Sequence, residues 1–120
     1  MVVELVKEFR FEAAHRLPKV PAGHKCARLH GHSFRFEVRV RGAVDASVGW
    51  FVDYAVIDAA VGPLVEQLDH FYLNEVEGLE NPTSENLAGW LWRRLRERLP
   101  GLCAIAVAET CDARCEYRGD

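Results

Sequence analysis

At 120 residues the chain has room for one domain with a real core and nothing left over for a second. Hydrophobic residues make up 49% of it, which excludes a disordered chain, and a formal net charge of -3 lacks the basic excess of a nucleic-acid binder. No apolar run approaches the roughly 20 residues needed to span a bilayer.

The first predicted element runs from about Val3 to His15. Val3, Leu5, Phe9, Phe11, Ala13 and His15 share one parity, interrupted by Lys7, while Glu4, Glu8, Arg10 and Glu12 take the other face of a strand. Its opening Met-Val-Val-Glu-Leu-Val-Lys-Glu alternates and is charged, unlike a signal peptide. Cys26, Cys103, Cys111 and Cys115 are therefore expected as reduced thiols in a cytosol. Pro18, Pro21 and Gly23 prevent regular structure before Cys26-Ala-Arg-Leu-His30-Gly-His32.

A second strand follows, with Phe34, Phe36, Val38 and Val40 alternating against Arg35, Glu37, Arg39 and Arg41. Extended backwards, it brings out His30 and His32 on its apolar face, with Gly31 adding no bulk between them. Gly42 to Gly49 reads as a turn and Trp50-Phe51-Val52 as a short apolar run. Asp53 is a helix N-cap, after which Val56, Ile57, Ala60, Val61, Leu64, Val65 and Leu68 recur at helical spacing. Gly62-Pro63 predicts a kink or break in that helix, which ends near Asp69-His70.

Asn74 to Pro82 is expected as a polar loop. Thr83 or Ser84 then caps a second helix, with Leu87, Ala88, Leu91, Leu95 and Leu99 as its buried stripe. Arg93, Arg94, Arg96 and Arg98 form a solvated face near a helix C-terminus rather than a phosphate site. Pro100-Gly101 stops this helix. A third strand is predicted from about Cys103 to Cys111, with Cys103, Ile105, Val107, Glu109 and Cys111 on one face, and Cys115-Glu-Tyr117-Arg makes a short fourth. A carboxylate such as Glu109 in line with aliphatics needs a partner. Cys111-Asp-Ala-Arg-Cys115 has no second pair to complete a structural zinc site. The order is strand, strand, helix, helix, strand, strand.

The chemistry concentrates in three histidines. Imidazole is the commonest metal ligand, and two adjacent antiparallel strands would bring His15 beside His30 and His32. Three neutral nitrogens with one open position are the arrangement of a catalytic zinc, although other first-row divalent ions fit such a set. Near a metal and an imidazole, Cys26 would serve as a thiolate base or nucleophile. His70 reads either as a favourable residue in the last turn of a helix or as a base or relay held by Asp69. His24 receives no role.

Five segments in order, Phe-Glu-Ala-Ala-His15, Cys26-x-x-x-His30-Gly-His32, Leu-Asp69-His70, Asn-Pro-Thr-Ser-Glu85-Asn and Glu109-Thr-Cys111, resemble the 6-pyruvoyl-tetrahydropterin synthase family across essentially the whole chain. The short spacing between Cys26 and His30 resembles its bacterial queuosine-pathway branch, the carboxy-forming one. The resemblance implies an α+β tunnelling fold over residues 1–120, a four-stranded antiparallel sheet with two helices on one face. It also implies assembly edge to edge into barrels, commonly hexamers, with active sites at subunit interfaces. His15, His30 and His32 carry over as zinc ligands, Cys26 as proton acceptor, Asp69 and His70 as a proton relay, and Glu109 as the carboxylate anchoring the pterin, with Thr83 and Ser84 beside it. The implied reaction converts 7,8-dihydroneopterin triphosphate to 6-carboxy-5,6,7,8-tetrahydropterin, acetaldehyde and triphosphate. Two alternatives remain at this point: a 6-pyruvoyl-tetrahydropterin product, and a non-catalytic zinc-binding module.

Overall fold

A computed structural model describes residues 1–120. Its frame is a long antiparallel hairpin, β1 (Val2–His15) on β2 (His30–Ala43), paired without a register break from Val2 opposite Ala43 to His15 opposite His30. Helices α1 (Tyr54–Leu68) and α2 (Ser84–Leu95) follow, then β3 (Leu102–Ala108) and β4 (Cys115–Tyr117). The four strands pair antiparallel in sequence order, giving the expected ββααββ sheet.

The period-two pattern of the hairpin decides which face meets the helices. Phe11, Phe34, Phe36, Val38 and Val40 are buried, and with Ile105 and Val107 of β3 they form one core with Ile57, Val61, Leu64 and Leu68 of α1 and Leu87, Leu91 and Leu95 of α2. Each such side chain contributes roughly 1.5–3 kcal/mol on burial. Phe11 and Phe34 stack across the strands with centroids 4.9 Å apart, two residues below the histidines. Lys7, the break in the apolar parity, reaches α1, where its Nζ lies 2.6 Å from Asp58 Oδ1. Trp90, absent from the predicted stripe of α2, is fully buried, and Arg94 stacks on its ring with the guanidinium carbon 3.9 Å from the centroid. Arg94 therefore departs from the solvated face on which Arg93, Arg96 and Arg98 remain.

Several expectations are corrected. Helix α1 is not broken at Gly62-Pro63 but continues to Leu68 with Pro63 inside it. Pro63 is exposed, as is Ala59, so the carbonyl left without its helical partner lies on the solvent side. The segment from residue 74 to 82 is not merely polar, because Leu79, with neighbouring Leu73, is fully buried and pins it to the core. Strand β3 stops at Ala108, short of Cys111, since its last pair with β2 is Arg35 opposite Ala108. Cys103 does not share a face with Ile105: the register shifts between Arg39 and Val40, and its Sγ turns to the outer face, 3.3 Å from Glu4 Oε1.

The molecule is elongated, 58 × 24 × 23 Å, with a radius of gyration of 15.6 Å. A compact chain of this length would have about 13.6 Å. The excess comes from the hairpin, whose 14-residue strands reach beyond the helices and leave Val2 and Val6 exposed on the outer face. At its near end Gly42 leaves room for the Phe51 ring, which a Cβ there would meet at 2.1 Å. Its far end carries the histidines.

Candidate active site

His15 and His30 are directly opposite one another in the β1–β2 register, and His32 faces Ala13 two positions on. Their parity sends all three rings to the helix side of the sheet, above Phe34. Ring centroids lie 4.6 Å (His15–His30), 5.1 Å (His15–His32) and 4.9 Å (His30–His32) apart, each pair edge to face. One ring nitrogen from each falls within 4.8 Å of the others. Sequence parity predicted this cluster, and the structure brings it together.

The surroundings decide how the rings are protonated. His15 Nδ1 lies 2.9 Å from the carbonyl of Pro82 and His30 Nδ1 lies 2.7 Å from that of Arg28. A carbonyl only accepts, so each Nδ1 carries the hydrogen and each Nε2 presents a lone pair. His15 is 1% exposed and its Nε2 is buried with no hydrogen-bond partner. An orphaned buried acceptor costs about 1–3 kcal/mol unless something binds it. Burial also holds the His15 and His32 imidazoles below the ordinary histidine range, favouring the neutral form that ligates a cation. The residues therefore fit a divalent metal ion: three convergent imidazoles, two of them, His15 and His30, oriented from behind by backbone carbonyls.

Glu109, just past β3, places Oε2 3.8 Å from His32 Nε2. Its side chain is 25% exposed and has no Lys or Arg within salt-bridge distance. Glu109 shares a shallow surface depression with Ser84, Glu85, Thr110 and Arg114. Ser84 therefore stands near the carboxylate, while Thr83 spends its hydroxyl oxygen capping α2, accepting from the Asn86 N–H at 3.1 Å.

Asp69 and His70 lie past the end of α1 on the free edge of β1. Asp69 Oδ1 accepts from the Glu12 N–H at 2.8 Å and Oδ2 contacts His70 Nδ1 at 2.9 Å. The His70 N–H closes the clamp on the Glu12 carbonyl at 2.6 Å. His70 has φ of 64°, the one left-handed non-glycine backbone in the chain, a conformation this clamp sustains. The Glu12 amide, then His70, holds the Asp69 carboxyl below the usual aspartate range, so the anion faces the ring. The carboxylate-held arrangement is thus present, rather than a helical last turn. His70 and His32 line one open cleft with Glu12, Gly31, Ser33 and Phe71.

Cys26 is half-buried in a single 3-10 turn, Lys25–Ala27, and is outside both the imidazole cluster and the walls of that cleft. Its backbone extends the hairpin past the histidines, because its carbonyl accepts from the Leu17 N–H at 2.8 Å. Sequence reasoning missed three contributors. Pro82 orients His15 through a carbonyl, which has no side-chain signature. Asn74 grips the backbone of Arg16 from both sides, at 3.0 and 2.8 Å, and so fixes the exit from His15. Phe71, 54% exposed in the cleft, offers an aromatic face whose only signal was its position after His70.

Fold and cluster together define an α+β protein with a three-histidine cluster able to hold a metal ion at the end of a long hairpin. The family model described as 6-pyruvoyl tetrahydropterin synthase matches residues 4–120, and the chain belongs to that family. A 6-carboxy-5,6,7,8-tetrahydropterin synthase of Synechocystis sp. is 45% identical over 119 residues, spanning 94% of this chain and 91% of the relative. A dihydroneopterin monophosphate aldolase of Pyrococcus furiosus is 36% identical over 101 residues, 84% of this chain and 82% of the relative. The structure of Caenorhabditis elegans 6-pyruvoyl tetrahydropterin synthase matches with a TM-score of 0.91 at 27% identity, covering 100% of this chain and 97% of that one.

Proposed function

We propose that the protein is a zinc-dependent carbon–carbon lyase that converts 7,8-dihydroneopterin triphosphate to 6-carboxy-5,6,7,8-tetrahydropterin, acetaldehyde and triphosphate, in the queuosine (7-deazapurine) pathway. The observation that carries the reading is the convergence of three imidazole nitrogens around the unpartnered, buried Nε2 of His15. The likeness to the carboxy-forming relative supports the choice of product.

His15, His30 and His32 would hold the zinc, which when bound supplies Lewis-acid polarisation of a substrate side-chain oxygen. The other groups act on the rest of the molecule. Glu109, three-quarters buried with no Lys or Arg within salt-bridge distance, would accept the paired N–H donors of the pterin's guanidine-like edge. Ser84 lies beside it to meet the ring's polar rim, and Thr83 fixes the turn from which Ser84 projects. Cys26 as thiolate would remove a proton from the substrate side chain. His70, held by Asp69 through Nδ1, would deliver or relay a proton from the other side. Loss of triphosphate, uptake of water and cleavage between the first two side-chain carbons leave the carboxyl on the pterin and release the outer two carbons as acetaldehyde.

A homo-oligomer, such as a hexamer, with interfacial active sites accounts for features that one chain leaves open. The outer edge of β1 is bonded only near Glu12 and Ala14, and an uncovered edge is a template for another strand. Cys26 stands apart from the cleft of His32 and His70, so a complete catalytic set calls for groups from more than one chain. No helix is long and apolar enough to cross a membrane. The reading places the enzyme in the cytoplasm, where free thiols such as Cys26 persist.

The test is product analysis by mass spectrometry with zinc-loaded protein and 7,8-dihydroneopterin triphosphate, alongside Cys26→Ala. A 6-carboxy product with acetaldehyde, lost in the variant, is expected. A pyruvoyl product would move the protein to the sister activity, and no turnover by fully metallated protein would leave only a zinc-binding module.

A further inference from the structure

Beyond Arg16, which Asn74 holds, the loop from residue 17 to 29 runs between the proposed ligands His15 and His30 and carries Cys26, yet little holds it in place. Its one helical turn, Lys25–Ala27, buries no residue, and Pro18, Pro21 and Gly23 deny it regular structure. Its order rests on a few hydrogen bonds. Four are purely backbone: Leu17 N–H to Cys26 O, His24 N–H to Pro21 O, Ala27 N–H to His24 O and Arg28 N–H to Lys25 O. Two more within residues 24–30 use a side chain: His30 Nδ1 donates to the Arg28 carbonyl, and the Cys26 N–H donates to His24 Nδ1 at 3.0 Å. The first belongs to a metal ligand. The second belongs to a residue with no other assignment.

His24 has φ of -66° and ψ of 137°, the extended backbone of an N-cap, and its ring nitrogen performs the acceptor task that Asn, Asp or Ser performs at ordinary helix starts. To accept, Nδ1 must be bare, so the ring carries its hydrogen on Nε2, the opposite tautomer from His15 and His30. With its N–H bound by His24 and its carbonyl by Leu17, Cys26 is fixed through both backbone polar groups. Its thiol is left free to act. We propose that His24 is the positioning residue for Cys26: as N-cap of the turn, it fixes the backbone from which the thiol reaches the substrate. This inference rests on the reading of Cys26 as the proton acceptor.

The experiment compares the zinc-loaded wild type with His24→Ala, which removes the acceptor, and His24→Asn, whose side-chain oxygen restores it. Hydrogen exchange over residues 21–29 is followed by mass spectrometry beside steady-state kinetics and zinc content. Loss of a cap should raise exchange at the Cys26 amide about fivefold and lower kcat by about the same factor, with KM and bound zinc unchanged. His24→Asn should restore both. Unchanged exchange in His24→Ala, an Asn variant no better than Ala, or faster exchange with wild-type kcat would each overturn the inference. Cys26→Ala runs in parallel to separate the two ideas. If that variant keeps wild-type turnover, the role of Cys26 falls and this inference falls with it, whereas a Cys26-dependent enzyme indifferent to His24 overturns the inference alone.

Discussion

His15→Ala separates the two roles assigned to His15, the proposed metal ligation and the bridge from β1 to Pro82. In the metal-free protein the substitution leaves the Pro82 carbonyl without its donor, at a cost of about 1–3 kcal/mol. It also deletes the orphaned Nε2, a relief of similar size. The two oppose each other, and what remains is the cavity left by a ring that is 1% exposed, so the metal-free variant should be less stable by about 2–5 kcal/mol. The metal increment behaves differently. Free zinc at 100 times its dissociation constant stabilises a binding-competent fold by about 2.7 kcal/mol. With about 2.1 cal/mol/K of unfolding entropy per residue, a chain of 120 residues shifts about 4 °C per kcal/mol, so zinc should raise Tm by about 11 °C. In His15→Ala only His30 and His32 remain, and the shift should disappear. The assay is thermal unfolding of both proteins at one fixed protein concentration, with chelator and with buffered zinc. A zinc-induced shift of wild-type size in the variant would refute the cluster as the metal site. A metal-free variant as stable as the wild type would refute the close packing of the His15 ring.

Glu109→Gln keeps the shape but removes the charge expected to anchor the pterin. Charge-assisted hydrogen bonds are worth about 1.5–3 kcal/mol, so kcat/KM should fall about 10- to 150-fold while the zinc-dependent Tm shift persists, and wild-type kcat/KM would remove the anchor. Burial, with the neighbouring Glu4 carboxylate, pushes the Cys103 thiol up to about 11. At pH 8 only about 0.1% of it is thiolate, so iodoacetamide should label exposed Cys111 well before Cys103, and equal rates in peptide mapping would contradict the half-buried position of Cys103 beside Glu4. Stability of the chelated protein should fall with acid. His15 and His32 have folded-state pKa values lowered from 6.5, so below that value the unfolded chain takes up protons first. Their contribution is fully present above 6.5 and lost as pH falls through the lowered values; urea midpoints that hold steady or rise from pH 7.5 to 5.5 would contradict it.

The sequence alone determined the hairpin, the element order and the three histidines that converge at the hairpin's far end. Strand parity is a local property: Phe34, Phe36, Val38 and Val40 could be buried together only if His30 and His32 emerged on the same face, and His15 follows the same rule on β1. Helix caps at Asp53 and Thr83 were legible for the same reason, since a cap is an interaction across two or three residues. The tertiary structure decided what depends on residues far apart in the chain. Lys7 looked like an error in the pattern until α1 supplied Asp58, and Cys103 changed faces because of a bulge opposite β2 that leaves no mark in composition. The tautomers of His15 and His30 depend on carbonyls, and every residue has a carbonyl. Asp69 and His70 were recognised as a pair, but their clamp on Glu12 and the left-handed backbone of His70 come from a chain 57 residues upstream at Asp69's partner. Side-chain chemistry can be read from letters when its partners are neighbours in a periodic element. Where the partner is a backbone atom brought by folding, only the fold identifies it.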